Sequence, residues 1–262
     1  MKKILCLIMV LVSTQLVAQE TINPKNSRYD EFKIKSSFIE NYEYTINVYL
    51  PHNYPPNKKY PLVFLLDANK GLQITKSLID WLNPNSKLIK NKLENFILVG
   101  ISYSNNDSVW WVDRSRDYIP TRDTISKFGK SWKYAGKADN FLNFIEKELT
   151  PTLSKKYNVD LSKTGIIGYS FGGLFASYSL FTRPNLFNRF IIIAPATSWD
   201  NSLVCFLEHK YSMTNKELNK KIYLAIGSLD NQYIINEPTI RFKDSLNLRN
   251  YPNLSLNFDF GE

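Results

Sequence analysis

The chain has 262 residues, 44% of them hydrophobic and 14% aromatic, and its formal net charge at pH 7 is +9. A chain of this length and composition can bury one large core, so we expect one α/β domain. Its lysines and arginines are scattered in short pairs, which argues against a nucleic-acid-binding groove, where they would be concentrated.

The first 19 residues have the pattern of a secretory signal peptide. A short basic start at 1–3 precedes the apolar stretch 4–12, and small and polar side chains follow up to Gln19. The apolar stretch is too short to span a bilayer, so we expect no membrane span. We expect residues 20–262 to form a single exported domain, in a bacterial periplasm or outside the cell.

The two cysteines offer little scope for disulfide or metal chemistry. Cys6 lies in the predicted signal peptide, and its removal leaves Cys205 without a disulfide partner. Cys205 and His209 are spaced i, i+4 on a predicted helix, but two ligands without a third make a weak metal site. We therefore expect no metal and no cofactor.

Strand patterns occur along the whole chain. Two early stretches, 31–37 and 42–50, predict antiparallel strands. Near-continuous apolar runs, typical of central parallel strands, follow at 61–66, 96–101, 164–168, 189–194 and 221–227. A last strand is predicted at 254–260.

Helical patterns lie between these strands, at 138–157, 171–182 and 238–249. Strands that alternate with helices predict a mostly parallel sheet with helices on both faces and a site at the carboxyl ends of the strands. The stretch 102–132, which contains Trp110 and Trp111, is interpreted as a long functional loop.

The most informative motif is Gly168-Tyr169-Ser170-Phe171-Gly172, a G-x-S-x-G sequence between a predicted strand and a predicted helix. In that context a tight turn exposes the serine hydroxyl at a helix N-terminus, where backbone N–H groups can stabilise an oxyanion. We therefore predict that Ser170 is a nucleophile.

These residues resemble the esterase family of α/β-hydrolases, which includes esterase D, siderophore esterases, feruloyl esterases and mycolyltransferases. The nucleophile motif extends over 168–174. Further matches are Leu65-Leu66-Asp67-Ala68, with Ala where the family usually has Gly, the segments 99–103 and 114–120, the helix 136–151 and the strand end 194–199. The resemblance covers most of residues 31–262 and implies an α/β-hydrolase fold.

The resemblance also implies catalytic roles. Ser170 would attack an ester carbonyl and form an acyl-enzyme. The oxyanion would accept hydrogen bonds from the N–H of Phe171 and from the N–H of Ala68 or Asn69. The acid would be Asp230, which follows the strand 221–227.

The same resemblance implies a pocket for a small-molecule ester. Trp199 would line it, together with Arg114 and Asp117 of the long loop and Tyr169 of the nucleophile motif.

The base is the role that the sequence leaves open. The family order is Ser, acid, then His, whereas His52 and His209 both precede Asp230. We interpret His52 as a surface residue. Residues 258–262 resemble the start of the family's F-x-GE-x-H segment, so we expect the chain to end before the base and before the usual C-terminal helix.

Three functions follow from this interpretation. The first is an exported serine esterase, impaired in this chain by the absent base. The second is a non-catalytic binding protein that retains the esterase pocket. The third is an acyltransferase that uses the same residues with a different acceptor.

Overall fold

The computed structural model of the chain describes residues 28–51, 54–55, 57–82, 94–122 and 132–262. Within these residues the strands are β1 (Tyr29–Lys35), β2 (Glu43–Tyr49), β3 (Tyr60–Leu65), β4 (Ile97–Ser102), β5 (Val159–Tyr169), β6 (Arg189–Ile193), β7 (Lys220–Gly227) and β8 (Leu254–Gly261). They form one sheet in the order β1-β2-β4-β3-β5-β6-β7-β8.

The helices of the same ranges are α1 (Ala68–Trp81), α2 (Asp107–Tyr118), α3 (Ala138–Phe144), α4 (Thr150–Lys156), α5 (Phe171–Thr182), α6 (Trp199–Thr214) and α7 (Glu237–Arg249). A π-helical turn, Ile145–Leu149, joins α3 to α4, and a second one, Gln232–Asn236, leads into α7.

The sheet is mostly parallel. Strand β2 pairs antiparallel with both β1 and β4, and the remaining neighbours pair in parallel. The predicted α/β fold is therefore confirmed. Because the parallel strands share one direction, the connections that leave β3, β5, β6 and β7 all start at the same edge, the carboxyl edge.

The two faces of the sheet are covered unequally. On one face, alternate side chains such as Phe64 and Ile192 are fully buried in the main core, together with residues of α2 to α7. On the other face, α1 packs over β3 and β4 through a smaller cluster that includes Leu72 and Leu98. Helices on both faces are thus confirmed.

Beside α1, the second face is open over β6 and β7. Ile191 is 38% exposed, Ile193 is 37% exposed and Tyr223 is 41% exposed. With Leu78 and Ile79 of α1 they line an apolar groove of about 570 Å³. In a parallel sheet, the apolar side chains of both faces are normally covered by helices.

The prediction of a long loop at 102–132 is wrong for residues 107–118, which form α2. Asn106 caps this helix, because its Oδ1 accepts hydrogen bonds from the N–H groups of Ser108 and Val109 at 3.1 and 3.3 Å. The buried side of α2 carries Arg114 and Asp117, so the helix lacks the apolar stripe by which helices are usually recognised.

Two other predictions concern residues outside the described ranges. They are the signal peptide at 1–19 and the surface position of His52.

Candidate active site

Ser170 lies at a sharp reversal between β5 and α5. Its backbone has φ 58° and ψ −116°, a combination that non-glycine residues adopt only where the surroundings hold them. Its N–H donates to the carbonyl of Ile193 at 3.0 Å, and its own carbonyl accepts from the N–H of Ala196 at 3.2 Å. Ser170 is half-buried. The strand-to-helix turn that the motif predicts is therefore present.

The glycines of the motif have different roles in this turn. A Cβ at Gly168 would lie 2.2 Å from the carbonyl oxygen of Gly172, and a Cβ at Gly173 would lie 3.0 Å from Pro195. A Cβ at Gly172 would meet Leu66 at 3.5 Å, an ordinary contact. The turn therefore requires glycine at 168, while position 172 has space for a methyl group.

Two helices begin next to each other at this edge. Phe171 is the first residue of α5, and Ala68 and Asn69 are the first two residues of α1. First-turn N–H groups have no acceptor within their own helix, and the helix dipole favours negative charge there. Because α1 follows β3 and α5 follows β5, and these strands are neighbours, both sets of donors lie at the same point of the sheet.

Ala68 stands where the esterase family that the sequence resembles usually has glycine. Its methyl group has room because the neighbouring strand β4 has a glycine at position 100. A Cβ at Gly100 of β4 would lie 2.6 Å from the Cβ of Ala68. The methyl group of Ala68 is 2% exposed and occupies the space that Gly100 leaves. The turn into α1 is made instead by Asp67, at φ 52° and ψ 42°.

Asp67 connects this turn to α2. Its Oδ1 accepts from Nε1 of Trp110 at 2.8 Å, and its Oδ2 accepts from Nη2 of Arg114 at 2.9 Å. Its N–H donates to the hydroxyl of Tyr118 at 3.0 Å. No role is predicted for Asp67 from the sequence. Its partners lie 43 to 51 residues away along the chain, and no local pattern indicates such contacts.

Arg114 and Asp117 do not line a pocket, and that prediction is wrong. Arg114 is 2% exposed and Asp117 is 0% exposed. The guanidinium of Arg114 is held by Asp67 and donates to the carbonyl of Tyr169 at 3.4 Å. Both side chains point from α2 into the interior, beneath the site. Buried charged groups are costly unless they are paired, and both have partners there.

Asp117 belongs to a buried polar network of its own. Its Oδ2 accepts from the hydroxyls of Tyr44 at 2.6 Å and Tyr103 at 3.0 Å, and its Oδ1 accepts from Nε of Arg116 at 2.7 Å. Burial raises the pKa of Asp117, against the opposing effects of Arg116 and the two tyrosine hydroxyls. The network fixes α2 against β2 and against the residue that follows β4.

Asp230 lies on the connection that follows β7, at the same edge as Ser170. Its Oδ2 accepts from the N–H of Gly227 at 2.7 Å, and its N–H donates to the carbonyl of Gly227 at 3.1 Å. A Cβ at Gly227 would lie 3.4 Å from that Oδ2. Strand β8 ends beside this loop, because the N–H of Ser228 donates to the carbonyl of Gly261 at 2.7 Å.

Aromatic rings surround the residue next to the nucleophile. The ring of Phe171 lies 5.1 Å from Trp132, 6.0 Å from Trp199 and 6.4 Å from Trp111, edge to face in each case. Trp199 is 7% exposed and Trp111 is 42% exposed, while Tyr169 is 59% exposed. These rings form an aromatic wall (Trp111, Trp132, Phe171 and Trp199) next to Ser170.

His209 lies at the other edge of the sheet. Its Nδ1 is 2.9 Å from Nη2 of Arg249, the last residue of α7, and β8 starts only a few residues further on, at Leu254. The amino edge of the sheet, where β8 begins, is opposite the edge that holds Ser170. His209 therefore does not meet Ser170 as a base.

No metal-binding group of three or more His, Cys, Asp or Glu side chains occurs in the described part of the chain. Cys205 is a half-buried free thiol whose pKa is raised by burial. In the same part of the chain, no helix combines the length and apolar character needed to cross a membrane.

Several known proteins are similar to this chain in sequence and in fold. The model of the Putative esterase family matches residues 36–252. Ferri-bacillibactin esterase BesA of Bacillus subtilis is 32% identical over 213 residues, which are 78% of this chain and 71% of BesA. The siderophore triacetylfusarinine C esterase of Aspergillus fumigatus is 38% identical over 160 residues, 61% of this chain and 51% of that protein.

Among solved structures, the BES protein from Bacillus cereus superposes with a TM-score of 0.77 at 28% identity, over 90% of this chain and 88% of that chain. The family match covers most of the described domain, including the serine turn and the loop of Asp230. The chain belongs to the Putative esterase family of α/β-hydrolases and is, by family, a carboxylic-ester hydrolase.

Proposed function

We propose that this protein is an exported serine esterase that hydrolyses a siderophore-type carboxylic ester. The observation that carries the proposal is the position of Ser170. It stands at a strained turn of the carboxyl edge, directly before Phe171 of α5 and beside the first turn of α1. A serine hydroxyl between two sets of first-turn N–H groups is the arrangement that acyl transfer requires.

In the proposed reaction, Oγ of Ser170 attacks the carbonyl carbon of the ester and gives its proton to a base. The oxyanion accepts hydrogen bonds from the N–H of Phe171 and from the N–H of Ala68 or Asn69; each such donor lowers the barrier by about 2.7–4 kcal/mol. The C–O bond then breaks, and the alcohol leaves with the proton. Water attacks the acyl-enzyme, releases the acid and restores Ser170.

Asp230 is the proposed acid, and its loop also indicates where a base would enter. Oδ1 of Asp230 accepts no hydrogen bond from the described residues, while Oδ2 is held by Gly227. Strand β8 also ends beside this loop, at Gly261. We propose that Oδ1 of Asp230 orients the imidazole of the base, as the acid does in other Ser-His-acid enzymes.

The siderophore class is supported by the relatives, of which the Aspergillus fumigatus protein is named a siderophore esterase and BesA a ferri-bacillibactin esterase. The aromatic wall adjoins the nucleophile and gives an ester substrate an apolar surface on which to pack. Export is supported by the amino-acid pattern of residues 1–19.

The test is hydrolysis of p-nitrophenyl acetate by the full-length gene product and by its Ser170→Ala variant. We expect turnover that falls by at least about 10³-fold in Ser170→Ala. Turnover that is unchanged in Ser170→Ala would remove Ser170 from the mechanism.

A second candidate function is ligand binding without turnover. It is favoured by the position of His209, which lies at the amino edge against Arg249 rather than at the site. The expected result is saturable binding of a siderophore by a chain that shows no hydrolysis, and weaker binding by Trp199→Ala. Ser170-dependent hydrolysis by the full-length product would contradict it.

A further inference from the structure

Asn236 lies beneath the loop of Asp230. It is 7% exposed, and its Nδ2 donates to two carbonyl oxygens, that of Gly227 at 3.1 Å and that of Asp230 at 3.3 Å. These carbonyls stand at the two ends of the loop 227–230. One buried amide therefore ties both ends of the loop to the start of α7.

The opposite end of the same amide is free. Oδ1 of Asn236 is buried and has no hydrogen-bond partner among the described residues. A buried acceptor without a partner is costly. The favourable interactions of this amide are therefore those of its Nδ2 group. The two hydrogen bonds of Nδ2 are those that the side chain of Asn236 contributes.

The loop has little else to hold it. Leu229 at its tip is 99% exposed. Besides the pairing of Gly227 with Gly261, the other hydrogen bonds of the loop to described residues are the two between Gly227 and Asp230 and the one from Ser228 to Gly261. Those between Gly227 and Asp230 lie within the loop itself. Asn236 supports them from outside, because it binds the carbonyl groups of both residues and links them to the helix that follows.

The π-helical turn brings Asn236 to this position. Its first N–H groups, those of Tyr233 and Ile234, donate to Oδ1 of Asn231, each at 3.0 Å. The N–H of Asn236 reaches the carbonyl of Asn231, five residues back, at 3.1 Å. Such wide turns are uncommon and often occur at functional sites.

We propose that Asn236 is a positioning residue that holds the carboxylate of Asp230 in its working orientation through both loop carbonyls. The inference rests on the proposed function in that Asp230 is taken as the acid. Without the amide, the hydrogen bond from the N–H of Gly227 to Oδ2 of Asp230 would open more often, and the carboxylate would spend less time in its working orientation. A misplacement of about 1 Å is enough to lower a catalytic rate by about 10²-fold.

The test uses two variants. Asn236→Leu keeps the approximate size of the side chain and removes both donors without adding a charge, while Asn236→Ala removes the whole amide. The control is Asn250→Ala, which replaces the left-handed residue at the far end of α7 (φ 48°) and destabilises the same helix without touching the loop.

The first measurement does not depend on turnover. In ¹⁵N-labelled protein, the amide of Gly227 reports its hydrogen bond to Oδ2 of Asp230. We expect its chemical shift to move and its hydrogen exchange to become about tenfold faster in both Asn236 variants but not in Asn250→Ala. Unchanged Gly227 signals, or equal changes in the control, would overturn the proposal.

The second measurement is ester hydrolysis by the full-length product. Here kcat should fall about tenfold or more in both Asn236 variants with KM nearly unchanged, and Asn250→Ala should retain the wild-type kcat. A change in KM alone would contradict a positioning role. If Ser170→Ala shows that the serine mechanism is wrong, the Gly227 amide still decides whether Asn236 orders the carboxylate.

Discussion

Arg114 and Asp67 form a buried ion pair that links the two halves of the site. Nη2 of Arg114 lies 2.9 Å from Oδ2 of Asp67, and the same nitrogen lies 3.4 Å from the carbonyl oxygen of Tyr169. Asp67 directly precedes Ala68, and Tyr169 directly precedes Ser170. The guanidinium therefore sets the position of the first turn of α1 relative to the nucleophile.

Arg114→Lys should lower kcat about 10- to 100-fold with little change in KM. A lysine keeps the charge, but one ammonium cannot reproduce the planar contacts to Asp67 and Tyr169. Steady-state kinetics below the unfolding temperature would measure this effect. Arg249→Lys, which alters the ion pair with Glu208 at the amino edge, is the matched control and should keep the wild-type kcat. An increase in KM alone would place Arg114 in contact with substrate.

Gly168→Ala and Gly172→Ala should differ sharply although both alter the G-x-S-x-G motif. A methyl group at 168 would lie 2.2 Å from the carbonyl oxygen of Gly172, whereas one at 172 has neighbours no closer than 3.5 Å. We expect Gly168→Ala to lose several kcal/mol of unfolding free energy and its activity. Gly172→Ala should remain within about 1 kcal/mol of wild type. Urea unfolding measures both, and equal losses would show that the turn has a different geometry.

The strands and the serine turn could be predicted because their signals are local. Parallel strands buried on both faces need nearly continuous apolar runs, and 189–194 and 221–227 are such runs. The turn at Ser170 requires glycine at position 168, because a Cβ there would lie 2.2 Å from the carbonyl oxygen of Gly172. In both cases residues close together in the sequence determine the structure.

Helix α2 and the polar residues beneath the site could not be predicted in this way. The buried side of α2 is charged, and its charges are satisfied by partners on distant elements, such as Tyr44 for Asp117. The fit of Ala68 likewise depends on Gly100, on a neighbouring strand. Periodicity describes one element at a time, so it does not reveal contacts of this kind.

Asp117→Asn should destabilise the protein by about 3 kcal/mol and leave KM unchanged. The substitution removes one charge of a buried pair and leaves Arg116 with Asp113 as its remaining carboxylate partner. Asp107→Asn, on the same helix but in an exposed ion pair with Lys70, should cost less than about 1 kcal/mol. Chemical denaturation and steady-state kinetics would measure the two effects. Unchanged stability with a raised KM would return Asp117 to the substrate pocket.

The stability of the protein should fall as the pH rises above about 10. Burial raises the pKa of Tyr44, Tyr103 and Tyr118 well above the usual value, and raises that of Tyr178 to about 12. Unfolded tyrosines release their protons near pH 10, while these remain protonated in the folded state. The folded state therefore binds more protons, and each such tyrosine lowers the unfolding free energy by up to about 1.4 kcal/mol per pH unit.

Urea unfolding between pH 9 and pH 11, with absorbance at 295 nm to follow phenol ionisation, measures this loss. Tyr103→Phe should reduce the slope of stability against pH because one buried phenol is removed, although it also takes a hydrogen bond from Asp117. Asn250→Ala should lower stability by the same amount at every pH, since it removes no titrating group. A slope that is identical in wild type and Tyr103→Phe would show that Tyr103 ionises in the folded protein as readily as in the unfolded chain.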